Sequence, residues 1–265
     1  SSDLYRLAER RPLARTGDWT SHPEVRDAQS AIQSTERLVR LARKTGKRIH
    51  VLHVTTKEEI AFLAGCKDVA SVEVTPQHLT LAGPEAYERL KGFAQMNPPI
   101  RDAEHRAGLW LGVANGVADV LGSDHAPHTR EEKARPYPAS PSGMPGVQTL
   151  LPVMLTQVAD GKLSLERLVD LTSHGAQRIF GLADKGRLAV GYDADLTIVD
   201  LKARRTITHD QMATRAGWTP FDGFEAKGWP KATIIRGRVV MRDDEIVAPS
   251  LGEGVRFLET LPEGA

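Results

Sequence analysis

Three short apolar segments rich in β-branched residues, set between amphipathic helical stretches, limit what this chain can fold into more than any other feature. The segments are residues 48–54, 69–74 and 117–121. Strands that alternate with helices run parallel, because each return to the same sheet edge needs a crossover. The first helical stretch, residues 22–46, places Val25, Ala28, Ile32, Thr35, Leu38, Val39 and Ala42 at helical spacing and stops at Gly46. A second is capped by Thr56 and carries Glu58 and Glu59 in its first turn, where negative charge suits the helix dipole. After Pro76 the chain reads as a loop that runs through Gln95 to Arg101, and a third helix is expected over residues 102–115.

Residues 123–146 are rich in Pro, His, Gly and Ser, and loops of that length are often functional. Helices are expected over 147–158 and 164–180, the second ended by Gly181. From Gly186 the character changes. Residues 195–200 and 232–241 are strand-like and are separated by an irregular Trp/Pro/Gly stretch, 217–230. The expected architecture is an α/β sheet or barrel over 1–186, then a small β domain over 187–265 with a loosely held tail after Pro249.

Charge and cysteine content exclude several classes. The chain holds 35 Lys and Arg against 34 Asp and Glu, without the basic excess of a nucleic-acid binder. Cys66 is the single cysteine, so no internal disulfide can form and a reducing, cytoplasmic setting is expected. No apolar run is long enough to span a membrane. The first residues have neither the basic nor the apolar region of a secretory signal, and no initiator Met; processing and a start inside a longer protein both fit.

The sharpest chemical cluster is Gly122-Ser123-Asp124-His125-Ala126-Pro127-His128, at the C-terminal end of the third strand. That edge holds the active site in barrels and open α/β sheets. A carboxylate and two imidazoles within five residues suit metal binding or proton transfer. A capping Asp with solvated histidines is the plainer alternative. His53 lies near the matching end of the first strand and could be a ligand or a hydrogen-bonded core residue. His50, three residues earlier, points to the opposite face and is not expected in the site, while His78 by itself is ambiguous. Asn97 precedes two prolines that stiffen its backbone, and its amide offers a donor and an acceptor. Ser142 and Gly143 belong to a glycine-containing loop that either approaches a ligand or simply turns.

Taken in order, these motifs resemble the amidohydrolase superfamily, and within it the dihydroorotase family of the class that includes the multifunctional animal enzyme's domain. The resemblance rests on His-Val-Leu-His-Val-Thr-Thr, Glu-Val-Thr-Pro-Gln-His-Leu, Asn-Pro-Pro-Ile-Arg, Gly-Ser-Asp-His-Ala-Pro-His, Ser-Gly-Met-Pro-Gly-Val-Gln-Thr and Gly-Tyr-Asp-Ala-Asp-Leu. It covers roughly residues 3–250. It implies a (β/α)8 barrel with one or two zinc ions, a small β-sandwich-like domain, and reversible hydrolysis of (S)-dihydroorotate to N-carbamoyl-L-aspartate in pyrimidine synthesis. By motif, His53 would be a metal ligand ending the sixth strand. Asp124 would be a metal ligand and the acid/base ending the eighth. Asn97 and His128 would contact substrate, and Ser142 and Gly143 would offer backbone contacts. His125 and His78 are not assigned as ligands, and Gln77 stands where many relatives have a second His.

The family's His-x-His pair, from the first barrel strand, occurs nowhere in this chain. Only the last three of eight strands are accounted for, so about 150 residues of barrel would lie in a missing N-terminal segment, at about 30 per unit. A catalytic zinc takes three protein ligands, and His53 with Asp124 supplies two, so the chain alone is not expected to turn over substrate. A homodimer and a transcarbamoylase complex are the assemblies the family suggests. The alternatives are an allantoinase, a dihydropyrimidinase/hydantoinase, and a non-catalytic partner of a transcarbamoylase.

Overall fold

A computed structural model describes residues 3–249 and 252–260. β1 (Ile49–Val51), β2 (Ala70–Val74) and β3 (Val120–Leu121) form a parallel sheet in the order β1-β2-β3. β1 pairs with residues 70–72 of β2 and β3 with residues 73–74. A stagger of this kind accompanies the strand tilt of a sheet that curls towards a barrel. The helix Lys57–Ala64 connects β1 to β2, and the helix Ala103–Ala114 leads into β3. Val51, Val54, Leu63, Val72, Val74, Leu109 and Val113 are buried, as expected of parallel strands covered by helices.

The strands are shorter than their apolar runs. At β3 the helix before it closes late, with the amides of Val117 and Ala118 both donating to Gly112 O. The Asp119 carboxylate then takes the Val72 N–H at 2.8 Å, so a side chain occupies a place on the ladder. At β1 the chain leaves the sheet at His53, whose φ is +36°.

The long helix expected over 22–46 is broken. A short helix, His22–Val25, ends at Arg26, and Asp27 caps a new one, Ala28–Thr45, by accepting from Ser30 N at 2.9 Å. The Arg101 guanidinium fixes the break by donating to the carbonyls of Arg26 at 3.1 Å and Asp27 at 3.4 Å. The stretch after Pro76, read as loop, opens with the helix Pro76–Thr80, where Thr75 caps and Pro76 fits the first turn.

The chain divides into two units, Ser1–Leu150 with Ile207–Phe224, and Leu151–Thr206 with Glu225–Ala265. In the second, β4 (Leu196–Ile207), β5 (Phe224–Ile235), β6 (Arg238–Arg242) and β7 (Glu245–Ile246) make a sheet in that order, antiparallel from β5 onward. The two tight turns place Arg236 and Gly237, then Asp243 and Asp244, at positive φ, as two-residue hairpins of this twist require. β5 takes in much of the stretch expected to be irregular. Pro230 is tolerated because pairing with β6 begins beyond it, at Ala232.

The tail after Pro249 is tied down where it is described: Ala183 N donates to Arg256 O, Leu258 N to Gly181 O, and Arg256 pairs with Asp184. Residues 250, 251 and 261–265 of that tail lie outside the described residues. No helix among the described residues is long and apolar enough to cross a membrane.

Candidate active site

The site is built where β1 and β3 end. His53 and Asp124 lie two and three residues beyond these ends, and both hold the left-handed backbone, at φ +36° and +42°. Non-glycine residues seldom sit there, and strain of this kind is tolerated where the surroundings fix it. At His53 the fixing residue is Glu73 of β2. Its Oε1 accepts from His53 N at 3.1 Å, and its backbone carbonyl accepts from Val54 N at 2.8 Å. The same carboxylate lies against Gly122, where a Cβ would stand 2.3 Å from the Glu73 Cδ. Glycine is needed there to let the carboxylate lie between the two strand ends.

His53 Nδ1 is buried without a hydrogen-bond partner. The Asp124 carboxyl is pushed up by burial; nearby His53 opposes this and nearby Glu73 adds to it. His53, Glu73 and Asp124 thus form one electrostatic group. His50 also reaches it: its Nδ1 is 2.8 Å from Ser71 Oγ and its Nε2 is 3.5 Å from Glu73 Oε2. His50 therefore lies behind the site, joined to it through Glu73.

The other histidines separate by their partners. His78 is buried with Nδ1 2.8 Å from Thr75 Oγ1, and its Nε2 donates to Pro98 O at 3.0 Å. Burial pushes its ring down to about 3, so it is neutral with both nitrogens engaged, and has none left for a metal. His125 is exposed, and its Nδ1 accepts from Gly146 N at 3.1 Å, joining the two ends of the long loop. His128 Nε2 donates to Ser142 O at 3.2 Å.

Asn97 stands beside His22, with its Oδ1 buried and without a hydrogen-bond partner. The carbonyls on either side of it are held: His22 Nε2 donates to Met96 O at 2.9 Å and His78 to Pro98 O. Gly143 N donates to Gln95 O at 2.9 Å, and Gln95 Nε2 lies 3.3 Å from Ser142 Oγ. Gly143 has φ +140°, and a Cβ there would meet Ala126 O at 2.4 Å. Gln77 Nε2 donates to Ser123 O at 2.9 Å, fixing the residue before Asp124.

Glu73, Gln95 and His22 were not among the site residues expected from sequence. Glu73 left a signal, a lone carboxylate in a strand of alternating valines. The partners of Gln95 and His22 lie 45 and 74 residues away, and no spacing rule reaches them.

Among the described residues no group of three or more His, Cys, Asp or Glu is placed to hold a metal ion. An imidazole nitrogen and a carboxylate oxygen are common zinc donors, and a buried ring nitrogen without a partner is what a ligand presents when no metal is bound. His53 and Asp124 therefore fit part of a zinc site and do not complete one.

The Amidohydrolase family model matches residues 15–240, and the chain belongs to that family. It is similar to the dihydroorotase of Methanosarcina acetivorans, 38% identical over 250 residues that cover 90% of this chain and 52% of the relative. It is likewise similar to the dihydroorotase of Pyrococcus furiosus, 37% identical over 235 residues, covering 88% of this chain and 54% of the relative. Among solved structures, the L-hydantoinase of Arthrobacter aurescens superposes with a TM-score of 0.86 at 30% identity, covering 92% of this chain and 55% of that one. The D-hydantoinase of a Thermus species gives 0.87 at 27% identity, covering 94% and 57%. The chain spans about half the length of the relatives it matches.

Proposed function

We propose that the chain is the C-terminal part of a dihydroorotase, supplying strands six to eight of a (β/α)8 barrel and part of a small β-sandwich-like domain. Its full-length protein would be a cytoplasmic zinc hydrolase of cyclic amides that interconverts (S)-dihydroorotate and N-carbamoyl-L-aspartate. The observation that carries this reading is the pairing of His53 and Asp124 at two strand ends, one with a buried ring nitrogen left over and the other with its carboxyl pushed up. The remaining ligands would come from chain outside this sequence, so these residues alone would not turn over substrate. A homodimer or a transcarbamoylase complex would be its assembly.

When bound, zinc supplies Lewis acidity towards the ring carbonyl and lowers the pKa of water to about 7. Asp124 takes the proton from the attacking water as the carbon–oxygen bond forms. It then delivers that proton to the ring nitrogen as the carbon–nitrogen bond breaks. A carboxyl raised by burial suits both halves of this exchange, since it is a better base than a solvated carboxylate. Asn97 offers amide donor and acceptor groups to the polar edge of the ring, with His128 beside the Ser142–Gly143 loop. His53 would be the residue that holds the metal, since its buried Nδ1 has no protein partner.

A second reading, a hydantoinase or dihydropyrimidinase, is favoured by the solved structures that superpose on this chain. The same residues would serve it, because the bond broken is the same. Dihydroorotate differs in its carboxylate. The test is a substrate panel with zinc-loaded full-length protein: dihydroorotate, hydantoin, dihydrouracil and allantoin. The highest kcat/KM is expected on dihydroorotate, by about 10⁴-fold, the discrimination reached by a site whose polar groups are left unpaired when the substrate lacks its partner group. Preference for hydantoin or dihydrouracil would move the assignment to the second reading.

A further inference from the structure

Lys133 ends a four-residue helix, Arg130–Lys133, inside the long loop and is fully buried. It forms no ion pair among the described residues. Its Nζ donates to three carbonyls, Gln95 O, Pro141 O and Gly143 O, each at 2.8 Å. An ammonium has three N–H donors, so all are used. Trp218 lies over it, with the ring centroid 5.9 Å from Nζ and its own Nε1 donating to His128 O at 2.8 Å. Burial pushes the ammonium down to about 7, while the three carbonyls favour the charged form, which has a donor for each.

A buried charge without a carboxylate is costly, and an apolar side chain of similar length would fill the space at less cost. What the lysine adds is a cross-link. Around it, five successive carbonyls of an irregular loop are bonded. Ser140 O accepts from Gln95 Nε2, Pro141 O and Gly143 O from Lys133, Ser142 O from His128, and Met144 O from Ala126 N. The third bond of Lys133 reaches Gln95, two residues before Asn97.

The geometry points to Lys133 as a positioning residue that locks the Ser142–Gly143 loop to the Asn97 segment, so that both substrate-contacting elements are held as one preformed wall. The inference rests on the functional reading above for what the wall contacts, and on the hydrogen bonds alone for the lock.

The test uses full-length protein and Lys133→Met, which keeps the bulk and removes the three donors. Amide hydrogen exchange over residues 139–146, measured without substrate, is expected to speed up about tenfold or more, as local opening becomes easier. KM is expected to rise about tenfold with kcat within about twofold, the pattern of lost binding common to ground and transition states. A lysine that only supports the fold would lower the yield of folded protein and leave the exchange and KM of the survivors unchanged; that result overturns the inference. If the variant does not fold, competitive acylation of the wild-type protein decides. Lys133 should label at least about a hundredfold more slowly than exposed Lys44 or Lys91, because it reacts only on opening. Comparable labelling overturns the lock. Neither exchange nor acylation needs turnover, so inactivity on every cyclic amide would sink the functional reading and leave this one standing.

Discussion

His53 and Asp124 combine two costs that a chain without a site at these strand ends would avoid. Each holds a left-handed backbone, worth roughly 1–2 kcal/mol for a residue with a Cβ. His53 also leaves a buried ring nitrogen without a partner, and Asp124 is half buried beside Glu73. A metal bound by both would relieve the second cost directly. Asp124→Asn keeps the shape and removes the proton acceptor, so kcat of the full-length enzyme should fall about 10²–10⁴-fold. His53→Ala should instead lower the zinc retained after dialysis, read by elemental analysis. Near-normal kcat in the Asp124 variant would remove that residue from the chemistry. That both residues lie at strand ends was legible in the sequence, because each closes a short β-branched run. Glu73 was harder to see, since what it does is accept a backbone N–H on the neighbouring strand and press against a glycine.

At the scale of elements, the parallel strands, the helix caps at Thr56 and Gly46 and the long loop follow from local pattern. The break at Arg26 does not, because its cause is an arginine 75 residues away that takes the carbonyls at the break. The length of β5 was hidden by Trp, Pro and Gly signals that ordinarily mean irregular chain, and that pairing on the β4 side overrides. His22 gives the short helix before the break a pH dependence. Burial pushes its ring down to about 4 from an ordinary 6.5. Between those values the unfolded chain binds the proton and the folded one does not, so stability rises with pH across the window and is lost as pH falls towards 4. The full effect is roughly 3 kcal/mol, and buried His78 adds in the same direction. Urea midpoints taken across the window should climb with pH, and His22→Gln, which keeps a donor for Met96 O, should flatten the climb. An unchanged slope in that variant would show that His22 is not the group titrating.

At the scale of the molecule, the chain is two units that cover about half the length of its relatives and carry three parallel strands with one four-stranded sheet among the described residues. Strand–helix alternation was enough to expect the parallel strands, and the change of character after Gly186 the separate β sheet. The wall around Asn97 and Gly143 was not foreseeable, because its donors come from residues 22, 78, 95, 128 and 133, which converge only in the folded chain. The proposed function requires His53 and Asp124 to be two ligands of one zinc. Diffraction from full-length crystals at the zinc absorption edge tests this most directly. An anomalous peak is expected about 2 Å from both the His53 Nδ1 and an Asp124 carboxylate oxygen, bond lengths ordinary for zinc. A zinc held elsewhere in the protein, with His53 and Asp124 both outside its coordination sphere, would contradict the proposed function.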